Sequence, residues 1–193
     1  MTWGQREVLA DIVGYLIPLL CCLPLWLVLR RPWKRRPVAR EIAMAVFVCS
    51  MAALLALTLQ GSWSDPLRML QSALSRLKSG EKIQLTPFVT LRSQLEQLPL
   101  PIPAAQLLGN TLLFAPWGFF LPLLWPRLRH PLKLAGLALA LPLFIECMQL
   151  FIDRYVEVDD VLLNFLGAMA GSGLWWCVRR CFPRLDEHLL IAP

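Results

Sequence analysis

Apolar and polar residues fall in long separate blocks along this chain rather than alternating. The runs 12–29, 42–64, 97–126 and 161–178 carry no charge, and the run 134–152 carries one, Glu146. A helix crossing a hydrocarbon core of about 30 Å needs roughly 20 apolar residues. Five runs of about that size predict five transmembrane helices, over about 8–29, 41–61, 105–125, 132–151 and 159–178. The runs lack the two-residue alternation and short segmentation of a membrane β-barrel. The expected fold class is all-α, a polytopic integral membrane helical bundle.

Between the second and third runs lies a segment, about 62–105, too long for an empty loop in a compact domain. Ser64, Asp65 and Pro66 read as a helix start, with Asp65 as N-cap and Pro66 in the first turn. Leu67, Leu70, Leu74 and Leu77 then recur at helical spacing, opposite Arg68, Gln71, Arg76 and Lys78, until Gly80. This predicts an amphipathic outer helix that lies on the membrane surface or packs on the bundle as a lid. Residues 84–88 read as extended because of Pro87, and a short second helix is expected over 91–98. Pro116 in the third transmembrane helix and Pro142 in the fourth each remove one backbone donor. They predict kinks, with freed carbonyls at Leu112 and Ala138.

Composition agrees with a membrane class. The 193 residues are 57% hydrophobic and 17% charged, with mean hydropathy +0.56, which is unusual for a soluble domain. The first run reads as a retained helix rather than a cleaved leader. Glu7 and Asp11 precede it, Pro18 and Pro24 interrupt it, and Arg30 and Arg31 stand where a small-residue cleavage site belongs. The net charge of +6 is not a nucleic-acid signal, because the basic residues sit in short loops. Arg30, Arg31, Lys34, Arg35, Arg36 and Arg40 form one cluster, Arg127, Arg129 and Lys133 a second, Arg179, Arg180 and Arg184 a third. With five alternating helices all three fall on one side, and short basic loops stay cytoplasmic. That side holds twelve of the nineteen Lys and Arg but only three of the thirteen acids, Glu41, Asp186 and Glu187. The N-terminus is expected outside and the C-terminus in the cytoplasm. Cys21, Cys22, Cys49, Cys147, Cys177 and Cys181 lie in helices or at cytoplasmic ends, so no disulfide framework is implied. His130 and His188 are far apart, no metal-ligand spacing is visible, and no metal or cofactor is expected.

The candidate chemistry lies where polar residues interrupt the apolar blocks. Glu146 and Gln149 share a helix face near the end of the fourth run, and Asp160 and Asn164 share one at the start of the fifth. Arg154 lies between them, with Asp153, Glu157 and Asp159 in the same connection, and Asn110 opens the third helix. Polar groups in lipid normally face one another or serve a function, and these fall on one predicted side, the outer one. The stripe of the fifth helix continues through Gly167 and Gly171, a spacing that admits close approach of a helix backbone. Two readings of Arg154 follow. It bridges Glu146 and Asp160 and so holds two helices together, or it also offers positive charge to an anionic headgroup. Glu146 and Asp160 are the candidates for acid–base catalysis. No Ser-His or Cys-His pair accompanies them, and no Gly-rich phosphate loop or calcium-binding loop pattern appears.

These residues resemble the VanZ-like family of membrane proteins. Asn110, Phe114, Pro116 and Gly118 match its Asn-x-x-x-Phe-x-Pro-x-Gly motif, and Glu146 and Gln149 its Glu-x-x-Gln. Arg154, Glu157, Asp160, Asn164, Gly167 and Gly171 resemble its Arg-x-x-Asp-x-x-Asp-x-x-x-Asn-x-x-Gly-x-x-x-Gly run. Leu85, Pro87 and Phe88 are similar to its outer-loop Asn-Leu-x-Pro-Phe element. Glu157 departs from the usual Asp, and Gln84 from the frequent Asn. The resemblance divides the chain into an extra N-terminal helix and basic loop (1–40), a VanZ-like domain (41–178) and a cytoplasmic tail (179–193). It implies a multi-pass protein of the bacterial cytoplasmic membrane and a link to glycopeptide (teicoplanin) resistance, for which the family is named. It supplies no reaction.

Three functions are open at this level. The first is binding or modulation of a membrane lipid, a lipid-linked cell-wall precursor or a lipoglycopeptide at the outer leaflet. Asn110, Glu146, Gln149, Arg154, Glu157, Asp160 and Asn164 would line the pocket, and the amphipathic segment 65–80 would cover it. The second is a lipid-modifying hydrolase or transferase that uses Glu146 and Asp160. The third is a structural subunit, with Pro116, Gly118, Gly167 and Gly171 serving helix packing and the polar cluster fixing the bundle.

Overall fold

The computed structural model describes residues 37–60, 65–97 and 99–183. The helix expected over 8–29, Cys21, Cys22, the basic residues 30–36 and the tail from 184, with His188, lie outside the described residues. Among those described, six α-helices form: α1 (Val38–Thr58), α2 (Pro66–Ser79), α3 (Val89–Gln97), α4 (Pro101–Leu124), α5 (Pro131–Gln149) and α6 (Val158–Cys181). A 3-10 turn (Pro126–Leu128) joins α4 to α5. Four helices, α1, α4 (over Leu107–Leu124), α5 and α6, are long and apolar enough to cross a membrane. They bury only 28–39% of their residues, so most of their apolar surface needs lipid. Val46, Leu112, Leu143, Leu166 and Leu174 are among the large exposed side chains. The four predicted spans within this region therefore exist, each within a few residues of its expected bounds.

The centre of the bundle is the contact of α4 with α6, and it is made by missing β-carbons. A Cβ on Gly167 would lie 2.3 Å from the carbonyl oxygen of Thr111, and one on Gly171 1.9 Å from that of Ala115. One on Gly118 would lie 1.7 Å from that of Ala168. The backbones thus touch in matched steps, 111 with 167 and 115 with 171, so the two helices run in the same direction. With no hydrophobic effect between helices in lipid, such small-residue contact is a main source of association. Ser172 closes the seam. Its Oγ lies 3.1 Å from the Gly118 carbonyl and 3.0 Å from that of Ala168, and its one hydrogen serves both. Gly118, Gly167 and Gly171 are the positions where the two backbones touch. Pro116 stands in the same half of α4, and the helix continues through both Pro116 and Pro122.

α1 and α5 run opposite to this pair. Phe47 of α1 stacks on Trp117 at 5.9 Å and meets Trp125 edge-on at 5.5 Å. Arginines satisfy the carbonyls that the C-terminus of α4 leaves unpaired. Buried Arg40 donates to Leu124 O at 2.9 Å, and Arg129 Nε donates to Pro122 O at 2.9 Å. The described basic residues Arg40, Arg127, Arg129, Lys133, Arg179 and Arg180 gather at this end of the bundle, and the acids of the α5–α6 connection at the other.

The 65–97 segment bears on one open reading and adds one element that the sequence does not predict. α2 begins after Asp65 and ends at Gly80 (φ 71°) as anticipated, although no side-chain cap bond forms at Asp65. Its four leucines do not face the bundle. Leu67, Leu70, Leu74 and Leu77 are exposed, and the buried face carries Ala73 and Arg76. The residues after α2 also form a strand, Ile83–Gln84, which pairs in parallel with Val156–Glu157. Two residues are too few to show alternation, and the pairing spans more than seventy positions.

The seam gives a controlled test. Gly167→Ala and Gly171→Ala place a methyl on a rigid carbonyl and should destabilise by about 1–3 kcal/mol or more. Gly173→Ala and Gly136→Ala meet nothing within 4 Å and should be neutral or stabilising by up to about 1 kcal/mol through helix propensity. Thermal unfolding of the purified protein in detergent checks the contrast.

Candidate functional site

At the acidic end, three helix termini and two loops share their polar groups. Asp160, in the first turn of α6, accepts from Asn110 Nδ2 at 3.1 Å. Asn110 sits one residue before the glycine seam, so the seam fixes this bond. Asn164, one turn further along α6, is 4% exposed, and its Oδ1 has no hydrogen-bond partner among the described residues. Glu146 near the end of α5 is also buried, and its Oε2 accepts the backbone N–H of Glu157 at 3.0 Å. A buried carboxyl oxygen needs such a donor, and here the main chain supplies it.

Arg154 does not bridge Glu146 and Asp160. It lies within electrostatic reach of both. Its Nη1 donates instead to the carbonyl of Thr58 at 3.0 Å. Gln149 Nε2 donates to the same oxygen at 3.1 Å. The last turn of α1 ends on unpaired carbonyls, and Thr58 O becomes a shared acceptor. Arg154 is exposed, and a guanidinium has five N–H donors, so this bond leaves most of them uncommitted.

The space beside Asp160 is small. Asn110, Glu157, Asp159 and Asp160, with Thr90 and Leu91, enclose about 10 Å³, no more than one water needs. The cover is α3, not the amphipathic helix expected over 65–80. Asp159, 5% exposed, holds that cover in place. Its carboxylate accepts from the backbone N–H of Phe88 at 2.5 Å and of Leu91 at 3.2 Å. Phe88 is in the left-handed region (φ 65°), which costs a non-glycine residue about 1–2 kcal/mol, and the Asp159 bond offsets that cost. Gln84 Oε1 accepts from Thr86 N–H at 3.1 Å. This is the local turn that a shorter Asn side chain makes two residues on.

A family model described as VanZ/LLP1 matches residues 44–179. The chain belongs to the VanZ/LLP1 family. Comparison with curated proteins and with solved structures gave no match. With four apolar helices in a VanZ/LLP1 chain, this is a multi-pass membrane protein.

In this VanZ/LLP1 chain the residues singled out from sequence meet at one end of the bundle, in two linked groups. Asn110, Asp160 and Asn164 lie along the α4–α6 interface, Glu146 joins α5 to the Glu157 backbone just before α6, and Gln149 and Arg154 meet at the end of α1. Two contributors escaped the sequence reading. Asp159 looked like one more charge in the connection. Arg76 looked like part of a solvated helix face, but it is 6% exposed. Its Nη1 donates to Leu150 O at 3.1 Å, and its Nη2 contacts Ser72 Oγ at 3.2 Å and Asp153 Oδ1. Lys82 Nζ reaches Asp153 Oδ1 as well, at 2.9 Å. Ala73 one turn earlier marks the close approach, a faint signal inside an amphipathic pattern.

The latch on α2 has a pH signature. The Lys82 hydrogen bond, then Arg76, holds the Asp153 carboxyl below its ordinary value of 3.8. A carboxyl lowered in the folded state stabilises fully above its ordinary value and stops as pH falls through the lowered one. Hydrogen-exchange protection of residues 66–84, corrected for intrinsic rate, should hold from pH 7 to 5 and drop only below 3.8. Arg76→Ala should cut it about tenfold or more at neutral pH, since bonds to charged groups are worth about 1.5–3 kcal/mol. Asp153→Asn should cut it less, because the bond from Arg76 to Leu150 O remains.

Proposed function

We propose that this VanZ-family protein binds or modulates an anionic envelope ligand at the outer leaflet of the bacterial cytoplasmic membrane, with Arg154 as the anchoring cation. The ligand class is an envelope lipid, a lipid-linked cell-wall precursor or a glycopeptide antibiotic, and resistance to the last would follow from engaging it or its target. The carrying observation is the state of Arg154. It is exposed, tied by one N–H to Thr58 O, and otherwise available at the end of the bundle.

Neighbouring features support this reading. Phe88 and Tyr155 are each 63% exposed, as expected of aromatic rings at a membrane interface. The outward leucines of α2 beside Arg68 and Lys78 suit a helix resting in the headgroup boundary. Arg40, Arg127, Arg129, Lys133, Arg179 and Arg180, in or beside the short connections at the opposite end, support an orientation with that end in the cytoplasm and the site outside. Glu146 and Asp160 serve this site as fixed acceptors that hold its helices in register. The space of about 10 Å³ beside Asp160 has no room for a headgroup, so the ligand belongs above the cluster, at Arg154.

The test is binding of a polyprenyl phosphate, and separately of teicoplanin, to the full chain in nanodiscs. Arg154→Ala should weaken binding about tenfold or more at normal folded yield. Arg154→Lys should recover part of the loss, since it keeps the charge but not the two-pronged donor geometry. Unchanged affinity in Arg154→Ala at normal yield removes Arg154 from the site. Loss for only one of the two probes identifies the ligand as lipid or drug.

A further inference from the structure

A second feature lies away from the polar end and is independent of its reading. α1 and α5 flank α4 without closing on each other, and between them is a cavity of about 580 Å³. Phe47, Met51 and Leu55 form one wall, Leu137 and Leu141 the other, and Trp117 lies on the floor. Trp117 is fixed there, because its Nε1 donates to Leu137 O at 3.0 Å. One lining residue is charged. Arg127, in the 3-10 turn at the basic end, is exposed. From Trp117 the crevice follows α4 for seven residues to its end at Leu124, about 10 Å at 1.5 Å per helical residue, and then meets Arg127 in the 3-10 turn.

The volume falls in the range of about 300–1,000 Å³ typical of ligand sites. The chemistry selects the occupant. An apolar cavity does not hold water, and the surrounding surface, with Val46 and Leu143 exposed, faces hydrocarbon. Molecules that reach it come from the bilayer. One end carries a cation, and Lys133 is exposed in the first turn of α5 nearby. Basic pockets between membrane helices on the cytoplasmic side are sites for anionic lipid headgroups.

We infer that the α1–α5 crevice binds one acyl chain of an anionic phospholipid, with the lipid phosphate on Arg127. The lipid comes from the leaflet at the basic end, opposite to the ligand of Arg154. It fills the gap that α1 and α5 leave over α4 and so completes the packing of α1.

Native mass spectrometry of the full chain in detergent, titrated with phosphatidylglycerol or phosphatidylcholine, tests the inference. Wild type should retain one phosphatidylglycerol in preference to phosphatidylcholine. Arg127→Ala, a surface change that leaves the fold intact, should weaken that lipid about fivefold and abolish the preference, since one basic residue near a membrane surface contributes about 1 kcal/mol. Leu141→Trp, which fills the crevice, should lower retention of both lipids. Arg154→Ala should leave the Arg127-dependent preference for phosphatidylglycerol in place, whatever it does to binding at the other end. Equal retention of both lipids by wild type overturns the inference, as does undiminished binding in Arg127→Ala. Loss in Arg154→Ala in place of Arg127→Ala overturns it too, because the head would then lie at the other end. A crevice covered by another stretch of the chain would retain no lipid, which also rejects it.

Discussion

Contact between the backbones of α4 and α6 is the constraint on which the rest of this bundle depends. In a bilayer, apolar side chains gain nothing by leaving lipid for one another, so helices associate where their surfaces fit. Gly118, Gly167 and Gly171 provide that fit, with no space for a methyl at any of the three. The seam then sets the register of everything above it. Asn110 meets Asp160 because Thr111 meets Gly167 seven residues on. Asp159, one position earlier on α6, is thereby set to receive the N–H groups that begin α3.

A second theme is the treatment of helix ends. Backbone carbonyls at a C-terminus have no partner in their own helix, and in a bilayer water is scarce. Here long polar side chains from elsewhere in sequence supply the donors. Arg40 and Arg129 serve the end of α4, Gln149 and Arg154 the end of α1, and Arg76 the carbonyl just past α5. A cation that looks like a topology signal or a surface charge is in these cases a structural donor. Arg127 and the uncommitted side of Arg154 stand out against that background.

Much of this was legible in the sequence for physical reasons. Long uncharged runs have few alternatives to membrane helices, and Gly167-x-x-x-Gly171 on one stripe announced a close contact. Glu146, Gln149, Asp160 and Asn164 were costly enough in lipid to imply a shared environment, and the bundle does bring them to one end. Their partners were not legible. Periodicity shows that a residue faces inward but not which acceptor it finds. Its position in the sequence points Arg154 at carboxylates, yet it bonds a carbonyl nearly a hundred positions away. Arg76 was hidden in an amphipathic pattern that specifies two faces, while α2 has three: leucines outward, Ala73 and Arg76 on the bundle, and the remaining polar residues between. The strand pairing of Ile83–Gln84 with Val156–Glu157 left no trace, because two residues make no pattern.

Thr58 gives the arrangement one more property. A single carbonyl oxygen at the tip of α1 receives both Gln149 and Arg154. Helices accommodate thicker or thinner bilayers by tilting, and any tilt of α1 displaces that oxygen. The guanidinium bound to it must follow or let go, so the position of Arg154 is geared to the thickness of the surrounding membrane.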